Sequence, residues 1–393
     1  MTRIATEGLA AQVMADETLA AQLARIEDAA VFIARVRDSA QAHELALSEA
    51  PLPATPQPDS RAADGWPRSP HVGSGLPPRH WLPHTIVSGA DAVFVDWAWF
   101  GPEPLRMPFY ADSVRQALRL PFNRAFPYRT RLQDLVAQAG TLESLAPNGF
   151  IFHMSRCGST LVAQMLAALS DSIVISEAAP IDAVVQLARG LSTREGASAL
   201  RAIIAAFGRR RRGDERRFFI KLDCWHTLAL PLFHRAFPKV PWVFLYRDPV
   251  EVLVSQMRQR GMQMVPSYYP PSFYGIDAAG PVVADEDYCA RVLAAVCQAV
   301  LDHHALGDGL LIDYRQLPQA VGNAVLPHFG IPSARRDRGA MLRTAERDAK
   351  TPGLPFAADA EAKQRAATEA VRRAAGFHLG AIYCRLGALR APS

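Results

Sequence analysis

Five short apolar runs mark the middle and later parts of the chain: Gly149–Met154, Ser172–Ser176, Phe218–Asp223, Val243–Tyr246 and Leu310–Tyr314. Each is too short for a helix and shows no period-two alternation, which predicts strands covered on both faces. Between them apolar positions recur at helical spacing, as in Leu161, Met165, Leu166 and Leu169, in Ile181–Ala188, in Ala197–Phe207 and in Tyr288–His304. Strands alternating with helices predict a layered α/β fold around a mostly parallel sheet. Ahead of this pattern, Ile4 to Glu49 is rich in Ala, Leu, Glu and Arg with helical periodicity, giving a small N-terminal helical region over residues 1–50. Residues 51–79 carry Pro, Gly and Ser with little periodicity and read as a linker. The main domain then covers 80–393, divided into an aromatic-rich segment 80–146, a core 147–332 and C-terminal helices 333–393. In the first of these, Trp81, Trp97, Trp99, Phe109 and Phe122 read as core, with helices over Asp112–Leu120 and Arg129–Ala146.

The stretch from Gly149 to Leu169 combines a strand, a tight turn and a helix. Ser155, Arg156, Cys157, Gly158, Ser159 and Thr160 put small residues where the backbone must fold back. Such a unit directs loop amides and a helix N-terminus at an anion, and Ser159 and Thr160 add hydroxyl donors. A nucleoside-triphosphate loop of the G-x-x-x-x-G-K-[ST] kind carries a lysine before its hydroxyl residue, and here Gly158 holds that place. The cation of the loop is Arg156, suited to bidentate contact with a tetrahedral oxyanion. A second anion site is predicted after the Val243–Tyr246 strand, where Arg247 and Ser255 lie eight residues apart at a strand end and on the following helix.

In these motifs and in their order, residues 147–332 resemble the sulfotransferases that use 3′-phosphoadenosine 5′-phosphosulfate (PAPS). The resemblance implies a three-layer P-loop nucleotide-binding fold. It implies that Ser155–Thr160 hold the 5′-phosphosulfate, that Arg247 and Ser255 hold the 3′-phosphate, and that Lys350 joins them from a basic C-terminal loop. It also implies that a base takes the acceptor's proton. Glu177, just past a strand end, sits where some carbohydrate-type members place a glutamate. Asp223 stands where cytosolic members carry a histidine, and His226 follows three residues on. All three remain candidates, with Arg156 stabilising charge on the leaving phosphate. The implied reaction is sulfuryl transfer from PAPS to a hydroxyl or amine of a small-molecule or carbohydrate acceptor. Alternatives on the same loop are a small-molecule kinase and a non-catalytic nucleotide-binding protein whose N-terminal helices engage a protein partner.

Composition narrows the class. The formal charge of +5 over 393 residues suits an anionic nucleotide without requiring nucleic acid. The basic run Arg209–Arg217 lacks interleaved aromatics and reads as a solvated loop rather than a nucleic-acid face. The five cysteines, Cys157, Cys224, Cys289, Cys297 and Cys384, form no CxxC pair and no zinc pattern, so no metal is expected and a reducing cytoplasm fits. No apolar run reaches membrane-span length, and no secretory signal opens the chain.

Overall fold

The computed structural model describes residues 3–42, 70–73, 75–277, 284–332 and 334–390. The chain divides into two compact units, Met1–Leu145 with Ala178–Glu215, and Ala146–Glu177 with Arg216–Ser393. Residues 43–50 of the expected helical region, and 51–69 and 74 of the expected linker, lie outside the described residues.

In the first unit three helices, Arg3–Ala15, Glu17–Ala24 and Ala29–Ala42, open the chain. The second is capped by Asp16, whose carboxylate accepts the Thr18 and Leu19 N–H groups at 2.9 and 3.0 Å. The aromatic-rich segment corrects the expectation of helices and core alone, because it forms a sheet. Strands β1 (His71–Val72), β2 (Trp81–Ser88), β3 (Val93–Trp99) and β4 (Tyr128–Arg131) lie in the order β1-β4-β3-β2. Trp81, Trp97 and Trp99 are buried as expected. Pro83 hid β2 from a reading by pattern: it lacks an N–H and reads as a break, yet it sits where the β2–β3 register shifts between Pro83 and Thr85. Likewise Tyr128–Arg131 pairs with β3 before the expected helix begins at Leu132.

The basic run is also corrected, since part of it is core. Glu215, buried in this unit, accepts the backbone N–H groups of Arg211, Arg212 and Gly213, and the Arg211 guanidinium donates to the Gly101 carbonyl at 2.7 Å. Burial pushes the Arg211 pKa down to about 10, against the opposing charge of Glu215. A run of arginines reads as solvated until a carboxylate folds back onto its own turn.

In the second unit, β5 (Gly149–His153), β6 (Ser172–Ser176), β7 (Arg217–Lys221), β8 (Trp242–Tyr246) and β9 (Gly309–Asp313) form an all-parallel sheet in the order β6-β7-β5-β8-β9, flanked by helices. All five expected strands are present. The apolar runs bury both faces, and Phe150, Phe152, Phe233 and Trp242 meet edge to face at centroid separations of 5.4 to 6.0 Å. Full burial of each such ring contributes about 1.5–3 kcal/mol. From β5 the chain first moves toward β6 and β7, and then crosses to β8 and β9. The strand order therefore reverses between β5 and β8, and their carboxyl ends border the crevice where open α/β sheets take ligands. Among the described residues no helix is long and apolar enough to cross a membrane.

Candidate active site

The loop leaving β5 turns through an unusual backbone. Ser155 and Arg156 have φ of 82° and 52°, and Gly158 has 86°. Left-handed conformations at non-glycine residues carry strain, which the surrounding bonds must hold. Ser155 is held from three sides: its N–H donates to His153 Nδ1 at 3.0 Å, and its hydroxyl accepts from Gln256 and Gln263 at 3.0 and 3.2 Å. The Cys157 thiol donates to the Leu245 carbonyl at 3.2 Å, and burial pushes its pKa up to about 11, so it is a packing group rather than a nucleophile. The Ser159–Ala167 helix follows with no side chain capping its first turn. Ser159 and Thr160 are buried residues, but their hydroxyls make no hydrogen bond within the described residues and are not sealed from solvent. An uncapped helix start with two open hydroxyls is an anion-binding arrangement.

Cations gather at this loop. Arg156 donates from Nη2 to the Gln259 carbonyl at 2.6 Å, a backbone partner that leaves its charge uncompensated by contact. Lys221, fully buried at the end of β7, pairs with Glu177 Oε1 at the end of β6. Sheet register produces this pair: Ser176 lies opposite Lys221, and the Glu177 N–H donates to the Lys221 carbonyl at 2.8 Å. Glu177 also has a left-handed φ of 52°. His153 completes the group. Because its Nδ1 accepts the Ser155 N–H, its proton sits on Nε2, which faces the Leu222 carbonyl at 2.9 Å and Glu177 Oε1 at 3.4 Å. Burial opposes ionisation of Glu177, but the Lys221 charge and the His153 hydrogen bond override it and hold the carboxyl far below its ordinary range. Oε1 is therefore committed, whereas Oε2 has no hydrogen bond within the described residues and is not sealed from solvent.

Lys350 belongs to this same cluster. Its side chain is exposed overall, yet desolvation of the ammonium, followed by the charges of Arg156 and Lys221, pushes its pKa down to about 8. Its electrostatic neighbours thus include Arg156 of this loop together with Lys221, Glu177 and Asp348.

Arg247 occupies the position expected for a second anion site, at the end of β8 beside β5, where its N–H meets Met154 Sδ at 3.2 Å. Its guanidinium is already engaged: Nε donates to Glu251 at 2.6 Å, Nη2 to Asp359 at 2.7 Å, and the plane lies 3.8 Å from the Tyr314 ring centroid. The Ser255 hydroxyl is turned back onto its own helix, donating to the Glu251 carbonyl at 2.9 Å. Asp223 and His226 form a reciprocal cap at the start of the turn Cys224–Ala229. His226 Nδ1 accepts the Asp223 N–H at 3.3 Å, and its ring is buried against Trp225 and Phe233. Among the described residues no group of His, Cys, Asp and Glu is arranged to hold a metal ion.

A family model, described as "Sulfotransferase family", matches residues 147–332, the segment that contains β5 to β9 and the Ser155–Thr160 loop. Residues 147–332 belong to the sulfotransferase family. No curated protein matches the chain. Similar solved structures include the sulfotransferase domain from the curacin biosynthetic pathway, 15% identical, covering 60% of this chain and 98% of that one with a TM-score of 0.38. A sulfotransferase from Alicyclobacillus acidocaldarius is 14% identical over 63% of this chain and 98% of that one, with a TM-score of 0.37. The sulfotransferase domain of the Synechococcus PCC 7002 olefin synthase is 16% identical over 64% and 90%, with a TM-score of 0.35.

Within this segment and its C-terminal extension, several residues of the candidate site are not singled out by the sequence pattern. Lys221 lies inside the expected strand Phe218–Asp223, and a lysine closing the run Phe218-Phe219-Ile220 is the available signal. His153 likewise lies inside an expected strand, as the last residue of β5. Asp359 and Lys363 carried no local signal, because their partner Arg247 is 112 residues from Asp359.

Proposed function

We propose that this sulfotransferase-family protein moves a sulfuryl group from PAPS to a hydroxyl or amine of a small-molecule or carbohydrate acceptor. The observation that carries the reading is the helix start at Ser159, which no side chain caps, preceded in the same loop by Arg156, whose guanidinium donates to a backbone carbonyl rather than to a carboxylate. A doubly charged phosphosulfate matches that excess of positive charge, and the arginine-bearing loop lacks the lysine of nucleoside-triphosphate loops.

In the proposed step the acceptor oxygen or nitrogen forms a bond to sulfur as the bond from sulfur to the 5′-phosphate oxygen breaks. The acceptor's proton passes to Glu177 Oε2, and the electron pair leaves with the phosphate of adenosine 3′,5′-bisphosphate. Arg156 and the Ser159 and Thr160 hydroxyls stabilise charge growing on that phosphate. Glu177 is favoured over its rivals because His226 and Asp223 cap each other, whereas Glu177 keeps one oxygen open. Its pairing with Lys221 makes it a weak base before the donor binds. An incoming phosphosulfate competes for the Lys221 ammonium, which raises the proton affinity of Glu177 when a base is needed. The five free thiols support a reducing, cytoplasmic setting.

Thermal-shift titration with adenosine 3′,5′-bisphosphate and with ATP tests the donor assignment, since a ligand of the folded state raises its melting temperature. Stabilisation by the bisphosphate, weakened in Arg247→Ala, is expected. Stabilisation by ATP alone would instead indicate a phosphotransferase.

A further inference from the structure

The second anion site contains an anion of its own. Asp359 lies between two buried cations, with Oδ1 2.7 Å from Arg247 Nη2 and Oδ2 2.7 Å from Lys363 Nζ. Asp359 itself is less enclosed, with 44% of its side chain exposed. Glu251 occupies the Nε edge of Arg247, so two cations are balanced by two carboxylates. A cluster with no net charge has little attraction for a phosphate dianion, however well its arginine is aimed.

We propose that Asp359 is an internal stand-in for the donor's 3′-phosphate, and that Lys363 is the second cation of that phosphate's site. The proposal rests on the PAPS reading. On binding, the phosphate takes the Nη2 edge of Arg247 and the Lys363 ammonium, and the Asp359 carboxylate rotates toward solvent. Little else has to move. Asp359 immediately precedes the Ala360–Ala366 helix, and that helix has a separate tether: Gln364 Nε2 donates to Asp248 at 3.1 Å. Tyr314 keeps the guanidinium plane in place from below, so the fork stays aimed while its partner exchanges. The exchange makes affinity for a 3′-phosphate depend on a carboxylate far from β8 in sequence. Asp359 thereby sets how strongly the site favours a nucleotide with a 3′-phosphate over one without.

Isothermal titration of the full chain with adenosine 3′,5′-bisphosphate and with adenosine 5′-monophosphate tests this in the wild type, Asp359→Asn and Lys363→Gln. Removing the stand-in leaves Arg247 and Lys363 facing only Glu251. Asp359→Asn is therefore expected to bind the bisphosphate about tenfold more tightly, equivalent to about 1.4 kcal/mol, with monophosphate affinity unchanged. Lys363→Gln is expected to bind the bisphosphate about tenfold more weakly. Tightening separates the proposal from a merely structural role, because loss of a structural ion pair does not improve binding. Equal bisphosphate affinity in wild type and Asp359→Asn, or an unchanged Lys363→Gln, overturns the proposal alone. Failure of the bisphosphate to bind any of the three overturns the PAPS reading and the proposal together.

Discussion

The pair formed by Lys221 and Glu177 allows a quantitative test of the site's electrostatics. Lys221→Met keeps the length and apolar stem of a fully buried side chain and removes its charge. Breaking a buried pair from one side costs about 3–5 kcal/mol, because the remaining charge is left desolvated. Two features reduce that cost here. A quarter of the Glu177 side chain is exposed, and the carboxyl can take up a proton once the lysine is gone. The expected loss is therefore about 2–3 kcal/mol at pH 7. At about 2–4 °C per kcal/mol for a unit of this size, the melting temperature should fall by about 4–12 °C. Urea denaturation of wild type, Lys221→Met, Glu177→Gln and the double variant closes a thermodynamic cycle. Since the double variant leaves neither charge stranded, it should be more stable than the sum of the single losses implies, by about 2 kcal/mol. Additivity within about 0.5 kcal/mol would refute the reasoning, because it would mean the two groups are not coupled in the folded protein.

Two further outcomes follow from the same geometry. Gly158→Ala places a methyl group at φ 86°, 2.7 Å from Leu317 Cδ1, so it should destabilise the fold by about 1–3 kcal/mol in urea denaturation and distort the Ser155–Thr160 loop. Glu177 has a folded pKa depressed below its ordinary 4.5, so its contribution is present above that value and is lost as pH falls through the folded pKa. Stability profiles should accordingly show wild type losing more than Glu177→Gln as the pH drops below 4.5.

The parts of this protein that sequence made legible are those with local causes. Short apolar runs marked β5 to β9 because a parallel strand buried on both faces needs no alternation, and the small residues around Gly158 marked the turn because only a few residue types accept its backbone. The β2–β3 hairpin was hidden by Pro83, which sits at a register shift where the lost N–H is tolerated. Tertiary pairings were the other omission. Lys221 and Glu177 meet through the register of β6 and β7, while Lys350 and Asp359 reach their neighbours on segments after the sheet is complete. Where those segments land is decided by packing that no window of sequence contains.

Donor turnover tests the central claim most directly. Full-length protein is incubated with PAPS labelled in the sulfuryl group and a panel of hydroxyl and amine acceptors, beside Arg156→Ala and Glu177→Gln. The account expects acceptor-dependent transfer of label with matching release of adenosine 3′,5′-bisphosphate, reduced by about 100-fold or more in Arg156→Ala through loss of charge stabilisation on the leaving phosphate. Transfer that is undiminished in Arg156→Ala, or phosphoryl transfer from ATP in place of sulfuryl transfer, would contradict it.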